Sequence, residues 1–175
     1  MIIISSYCVE AKSRMELRQL AKKIRKMFGL ENELYFPIVD VLELLPEFDS
    51  EAYFEVVEVD ELEPGEHAVT DVISKTIKIR SDVYEGAFNG IGRDRMTLAH
   101  EFAHFITLCV CGFRLARSFD GYSIPAYKDP EWQAKCLAGE LMIDSELIKN
   151  MPVEEVSDKC GVSIQAATIQ KNALI

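Results

Sequence analysis

His100-Glu101-Phe102-Ala103-His104 carries the densest chemistry in this sequence. Two histidines four residues apart lie one turn apart on the same face of a helix, where both imidazoles can grip a single metal ion. Glu101 is rotated off that line and reaches toward a metal-bound water. Zinc polarises such a water, and a carboxylate beside it takes the proton. The chain has 3 histidines, and two of them are in this motif. The surrounding Ala99, Phe102, Ala103 and Phe105 are apolar, as expected for a core-facing helix with one polar stripe. Polar side chains buried on such a helix need partners. The implied chemistry is zinc-assisted hydrolysis of a peptide bond, with His100 and His104 as ligands and Glu101 as general base.

A catalytic zinc takes three protein ligands and keeps one position for water. No third histidine follows shortly downstream, so a carboxylate is favoured for the remaining ligand. Asp120, Asp129, Glu131, Glu140, Asp144 and Glu146 are all available. Glu131 and Glu140 stand out among them. Glu131 falls in the first turn of a helix opened by Asp129-Pro130, and Ala134 and Ala138 would let that helix lie close to the histidine helix. Glu140 lies deeper in the same helix, with Asp144 four residues on as an outer partner. Spacing alone does not choose between them.

Two blocks extend the motif: Arg93-Asp94-Arg95-Met96-Thr97-Leu98-Ala99-His100-Glu101-Phe102-Ala103-His104, and Asp129-Pro130-Glu131-Trp132-Gln133-Ala134-Lys135-Cys136-Leu137-Ala138-Gly139-Glu140-Leu141-Met142. In order and separation they resemble the ImmA/IrrE family of bacterial and phage metallopeptidases. That family reads Arg-x-Arg-Phe-Thr-Leu-Ala-His-Glu-x-x-His and then Glu-x-x-Ala-Asn-x-Phe-Ala-x-x-Leu-Leu-Met-Pro. The likeness extends over residues 12 to 150, and its specific part is 93 to 144. The resemblance implies Glu131 as the third zinc ligand. It further implies an endopeptidase that cleaves a specific regulatory protein, such as a helix-turn-helix repressor or an antitoxin-like partner. It also admits a zinc-binding regulator, or the toxin component of a toxin–antitoxin pair, acting mainly through partner binding. Lys135 stands where the family has Asn, Leu137 where it has Phe, and Asp144 where it has Pro.

The elements that must position these residues are legible from periodicity. Met15, Leu17, Leu20, Ala21, Ile24, Met27 and Phe28 predict an amphipathic helix over 12–28, stopped by Gly29. Pro37 opens a short helix through Leu45, which Pro46 ends. Residues 53–59 predict a strand, and 69–73 with 76–80 predict a hairpin. The strand 76–80 could lie at an edge and pair with an extended substrate, or lie inside a small sheet. A long apolar helix is expected from Asp94 to Val110, and another from Asp129 to about Ile148. Two short helices around Gly161 form the tail. The expected fold is α+β: a small, mostly antiparallel sheet packed on the zinc-binding helices. The metallopeptidase domain is expected over 1–150, with a helical C-terminal tail, 151–175, packed on it.

Oxyanion stabilisation needs a donor, and Tyr122, Tyr127, Arg114, Arg117 and His67 could supply one. Five scattered cysteines suggest reduced thiols, not a disulfide framework. Cys109-Val110-Cys111 has the wrong spacing for a zinc knuckle and reads as packing. The apolar start, Met1 to Cys8, lacks a basic n-region and a cleavage site, and no run is long enough to span a bilayer, so a cytoplasmic protein is expected.

The net charge of −10 opposes nucleic-acid binding. The charge is unevenly spread: Lys12 to Lys26 holds seven Lys/Arg and one acid, while Glu31 to Glu66 holds thirteen acids and no Lys or Arg. The first stretch reads as a solvated basic helix. Residues 156–167 resemble the turn of a helix-turn-helix, but the second helix offers only Lys171, so a structural cap is expected. The isolated protein should therefore give no shift of duplex DNA in a gel at physiological salt. Tight, salt-sensitive binding through the basic helix would overturn that expectation.

Overall fold

The structure is a computed structural model that describes residues 7–112, 116–117 and 124–174. Strand β1 (Tyr7–Cys8) pairs antiparallel with β5 (Ala116–Arg117). Helix α1 (Arg14–Met27) starts at a reciprocal cap. The Glu16 N–H donates to Ser13 Oγ at 3.3 Å, and the Ser13 N–H donates to the Glu16 carboxylate at 2.7 Å. Two otherwise orphaned donors are thereby satisfied. Leu17, Ala21 and Ile24 form the buried stripe that the periodicity predicts.

The cations of α1 are only in part the solvated face that the charge run suggests: Lys23 and Lys26 are exposed, and three others are not free. Arg25 is buried, and its guanidinium donates to the carbonyls of Leu141 and Glu33. Arg14 and Arg18 bind the carboxylate of Glu140 at 3.1 and 3.0 Å. Three cations of the run are built into the fold because buried acceptors elsewhere in the chain need them.

Helix α2 (Ile38–Leu42) is short, as expected, but Pro46 does not end the helical segment. It sits in the first turn of α3 (Leu45–Phe48), where a missing N–H costs nothing. The sheet contains β2 (Tyr53–Val57), β3 (Ala68–Asp71) and β4 (Thr76–Arg80) in the order β2-β4-β3. The hairpin is present as β3–β4, turning through Lys75 at a positive φ of 56°. β2 pairs parallel to β4, so the small sheet is mixed. Thr76, Ile77 and Ile79 are buried, as a central strand demands. Helix α4 (Ser81–Phe88) follows at once; its eight residues, with only Val83 and Ala87 buried, gave too weak a period to be read in advance.

Helix α5 (Gly92–His104) carries the histidines and runs on as a π-helical turn over Phe105–Val110, closed by Cys111 N–H donating to the Ile106 carbonyl at 2.9 Å. Helix α6 (Pro130–Met142) is capped by Asp129, whose side chain accepts from the Glu131 N–H at 2.9 Å. It stops short of Ile148 because the Asp144 carboxylate accepts from the N–H groups of Glu146 and Leu147, offering the backbone a turn in place of another helical bond. α7 (Val153–Cys160) and α8 (Ile164–Asn172) flank Gly161, which is left-handed at φ 63°. The α+β class is as expected.

α6 packs against both α1 and α5, and α5 also meets α4 and β3. The start of α5 is pressed onto the α7–α8 turn: a Cβ at Gly92 would lie 2.5 Å from the Val162 carbonyl carbon. Arg95, fully buried, donates to the carbonyls of Gly161 and Phe36, each at 2.8 Å, and to the Tyr35 hydroxyl. One guanidinium therefore ties the histidine helix to the tail and to the 35–36 segment. Among the described residues no helix is long and apolar enough to cross a membrane.

Burial alone would raise the Glu140 carboxyl, but Arg18, Ser145 and Gln170 outweigh it and hold it below the ordinary carboxylate range. A carboxylate depressed in this way stabilises the fold fully above its unfolded pKa, near 4.3, and loses that contribution as the pH falls through the folded value. Glu140→Gln should cost about 3 kcal/mol at neutral pH, the low end for breaking a buried pair, because both arginines stay partly solvated. The gap in thermal midpoint between wild type and variant should narrow as the pH is lowered from 6 to 3. A gap that stays constant would show that the charge on Glu140 contributes nothing.

Candidate metal centre

Glu131 is fixed by the start of its own helix. The Asp129 cap holds its N–H, Pro130 sets the first turn, and its side chain leaves α6 toward α5. There its oxygens lie 3.4 Å from His100 Nε2 and 3.1 Å from His104 Nε2, and the two Nε2 atoms are 3.1 Å apart. His104 is nearly buried, while His100 and Glu131 are about a quarter and a third exposed, so the cluster opens to solvent on one side. The two imidazoles, His100 first, hold the Glu131 carboxyl well below the usual carboxylate range.

These separations suit a metal. Donors around a tetrahedral zinc with bonds of about 2.0–2.1 Å stand about 3.3 Å apart. Two nitrogens and a carboxylate with one open side are also the donor set of a catalytic, not a structural, zinc site. Among the described residues His100, His104 and Glu131 are the group of metal-binding type whose ligand atoms all fall within 4.8 Å of one another. One feature weakens the set. A ligating imidazole commonly donates its second N–H to an outer partner, yet His104 Nδ1 is buried without one among the described residues.

The other carboxylates weighed as ligands have separate employment. Glu140 is held by Arg14, Arg18 and Ser145, and Asp129 caps α6. Asp144 makes its turn, and Glu146 pairs with Lys22 at the surface. Asp120 lies outside the described residues, as do Tyr122 and Arg114 from the oxyanion candidates. The side chain of Arg117 is likewise not described. Of the rest, His67 is exposed just before β3, and Tyr127 is exposed in the 3-10 turn Ala126–Lys128.

Glu101 faces β3. The Thr70 hydroxyl lies 2.7 Å from Glu101 Oε2 and 3.0 Å from the Glu101 carbonyl, so one threonine fixes both the carboxylate and the helix that bears it. Sequence reasoning missed Thr70, for a single threonine in a strand carries no local signal. The edge position also moves. β4 is the centre of the sheet, and β3, which carries Thr70, is an edge. Burial pushes the Cys109 and Cys160 thiols up to about 11, which disfavours the nucleophilic thiolate at those two positions.

No family model matches the chain, and no curated protein matches it.

As a metal centre, the cluster should take up one divalent ion per chain, measured by elemental analysis after dialysis against zinc. Glu131→Gln should weaken that binding at least 10-fold, as loss of a ligand or of its orienting partner does, while Glu140→Gln leaves it unchanged. Equal losses in the two variants would remove Glu131 from the ligand set.

Proposed function

We propose that this chain is a zinc-dependent endopeptidase of the cytoplasm that cleaves a specific regulatory protein. The observation that carries the reading is the convergence of His100, His104 and Glu131, with Glu101 next to them on the same helix and facing an open sheet edge. The resemblance of residues 93–144 to the ImmA/IrrE blocks supports it.

His100 and His104 would hold zinc through Nε2, and Glu131 through its carboxylate. Bound there, zinc supplies a Lewis acid for the scissile carbonyl and lowers the pKa of a coordinated water. Thr70 anchors Glu101 Oε2 and leaves Oε1 to take the proton of the attacking water and return it to the departing amine. Among the described residues no strand pairs with the outer side of β3, whose backbone N–H and C=O groups would be open to an extended substrate segment. The acids between Glu31 and Glu66 would steer a basic partner, which suits a DNA-binding repressor or an antitoxin-like protein.

A second reading, a zinc-binding regulator or toxin component that works by partner binding, is favoured by one residue. Lys135 is exposed beside the cluster where the family carries Asn. Glu101→Gln separates the two. For a peptidase it should keep the metal and lower cleavage of the partner by about 10²–10⁴-fold, the usual worth of a general base. If wild type and variant hold zinc and neither cleaves, the binding reading stands. A variant that loses its zinc would make Glu101 a ligand.

A further inference from the structure

A groove lies beside the metal cluster, between α5, α6 and α8. Its deep part is a cavity of about 360 Å³ walled by Met96, Trp132, Ala138, Ile143, Ala166 and Ile169, with His100 at one end. The depth comes from small residues. Ala138 and Gly139 leave the surface of α6 bare, and a Cβ at Gly139 would already crowd Gln170 at 2.9 Å. The back wall is polar and fully engaged: Arg14 donates to Gln170 at 2.9 Å and to Glu140. Ile169, on the rim, is 59% exposed, an apolar side chain left in water.

The groove continues into a shallower basin of about 390 Å³, which shares Met96, His100, Lys135, Ala166 and Ile169 with the deep part. Two cations stand over it. Lys135 is exposed and has no ion-pair partner among the described residues. Arg93 has a side chain 74% exposed, and its ion pair among the described residues is with its neighbour Asp94. An apolar slot that opens onto a basic basin, with one metal-binding histidine bordering both, is chemically a two-residue reader. The slot excludes polar side chains by desolvation, and the basin favours a carboxylate.

We propose that this groove binds an extended peptide segment in which a bulky apolar residue occupies the slot and an adjacent acidic residue meets Lys135 and Arg93. Lys135 is then a specificity-determining residue of the site, and α8 contributes a wall of the substrate channel. The assignment rests on the peptidase reading for its biological meaning, but the binding itself does not require turnover. It is compatible with a basic partner, since the acids at Glu31 to Glu66 act on the partner's overall charge and the groove reads two residues of it.

Trp132 is the only tryptophan in the chain and lines the slot, so its fluorescence reports occupancy. Four N-acetylated, C-amidated hexapeptides suffice, identical but for a central Leu-Glu, Leu-Lys, Ala-Glu or Ala-Lys. Each is titrated into the zinc-loaded protein and into protein stripped with a chelator. The Leu-Glu peptide should bind at least 10-fold more tightly than Ala-Lys in both forms, with the other two between. Lys135→Glu should erase or reverse the preference for Glu over Lys and keep that for Leu over Ala. Ala166→Phe, which fills the slot without adding a second tryptophan, should do the opposite. Lys135 is exposed, so its variant remains informative even if Ala166→Phe fails to fold. Equal affinities for the four peptides, no binding, or a ranking unmoved by Lys135→Glu would each overturn the proposal. Mass spectrometry of the same mixtures keeps the two readings apart. Ranked binding supports the groove whether or not the peptides are cut; cleavage without ranking refutes the groove alone.

Discussion

Close packing of α6 against α5 turns two histidines and a glutamate from a separate stretch of chain into one donor set. Both helices bury alanines, Ala99 and Ala103 on α5 and Ala134 and Ala138 on α6, all essentially inaccessible to solvent. Small side chains shorten the distance between helix axes, and the reach of a glutamate side chain then suffices to meet the imidazoles. The Asp129 cap and Pro130 fix where α6 begins, so Glu131 enters the cluster from a defined first turn. At the far end of the same helix, Glu140 is tied to Arg14 and Arg18 of α1. α6 is thus held at both ends by charge and along its length by apolar contact.

Buried charge is the second theme of the architecture. Arg25 and Arg95 are both about 1% exposed, and both are spent on backbone carbonyls and not on carboxylates. A guanidinium presents several donors in a rigid fork, so it can bind carbonyls from two segments at once. Arg95 does this for α5, the tail and the 35–36 segment, and Arg25 does it for α1, the end of α6 and Glu33. Each defines a junction that apolar packing alone would leave free to slide, because directional bonds set a register and dispersion does not.

The cluster has two unlike approaches. One is β3, an edge of the three-stranded sheet among the described residues, with the threonine that holds Glu101. The second is the apolar groove with its basic basin. An edge strand recognises backbone and is indifferent to side chains, whereas a slot with cations at its mouth recognises side chains.

The sequence by itself determined what depends on neighbours within a few residues. The helices expected over 12–28 and from Asp94, the hairpin expected over 69–80 and the two tail helices around Gly161 follow from periodicity and stop signals, and the structure places them at Arg14–Met27, Gly92–His104, Ala68–Arg80, Val153–Cys160 and Ile164–Asn172. His100, Glu101 and His104 share a helix whatever the rest of the chain does. The choice between Glu131 and Glu140 was open in the spacing and leaned on resemblance alone. Tertiary packing brings the first to the histidines and gives the second to two arginines. Packing also placed β4 at the sheet centre, buried Arg25 out of a run of surface-like cations, and gave Glu101 a partner in Thr70. Each of these depends on which distant segments meet, and a hydrogen bond between residues 31 positions apart leaves no periodic mark on the sequence around either of them.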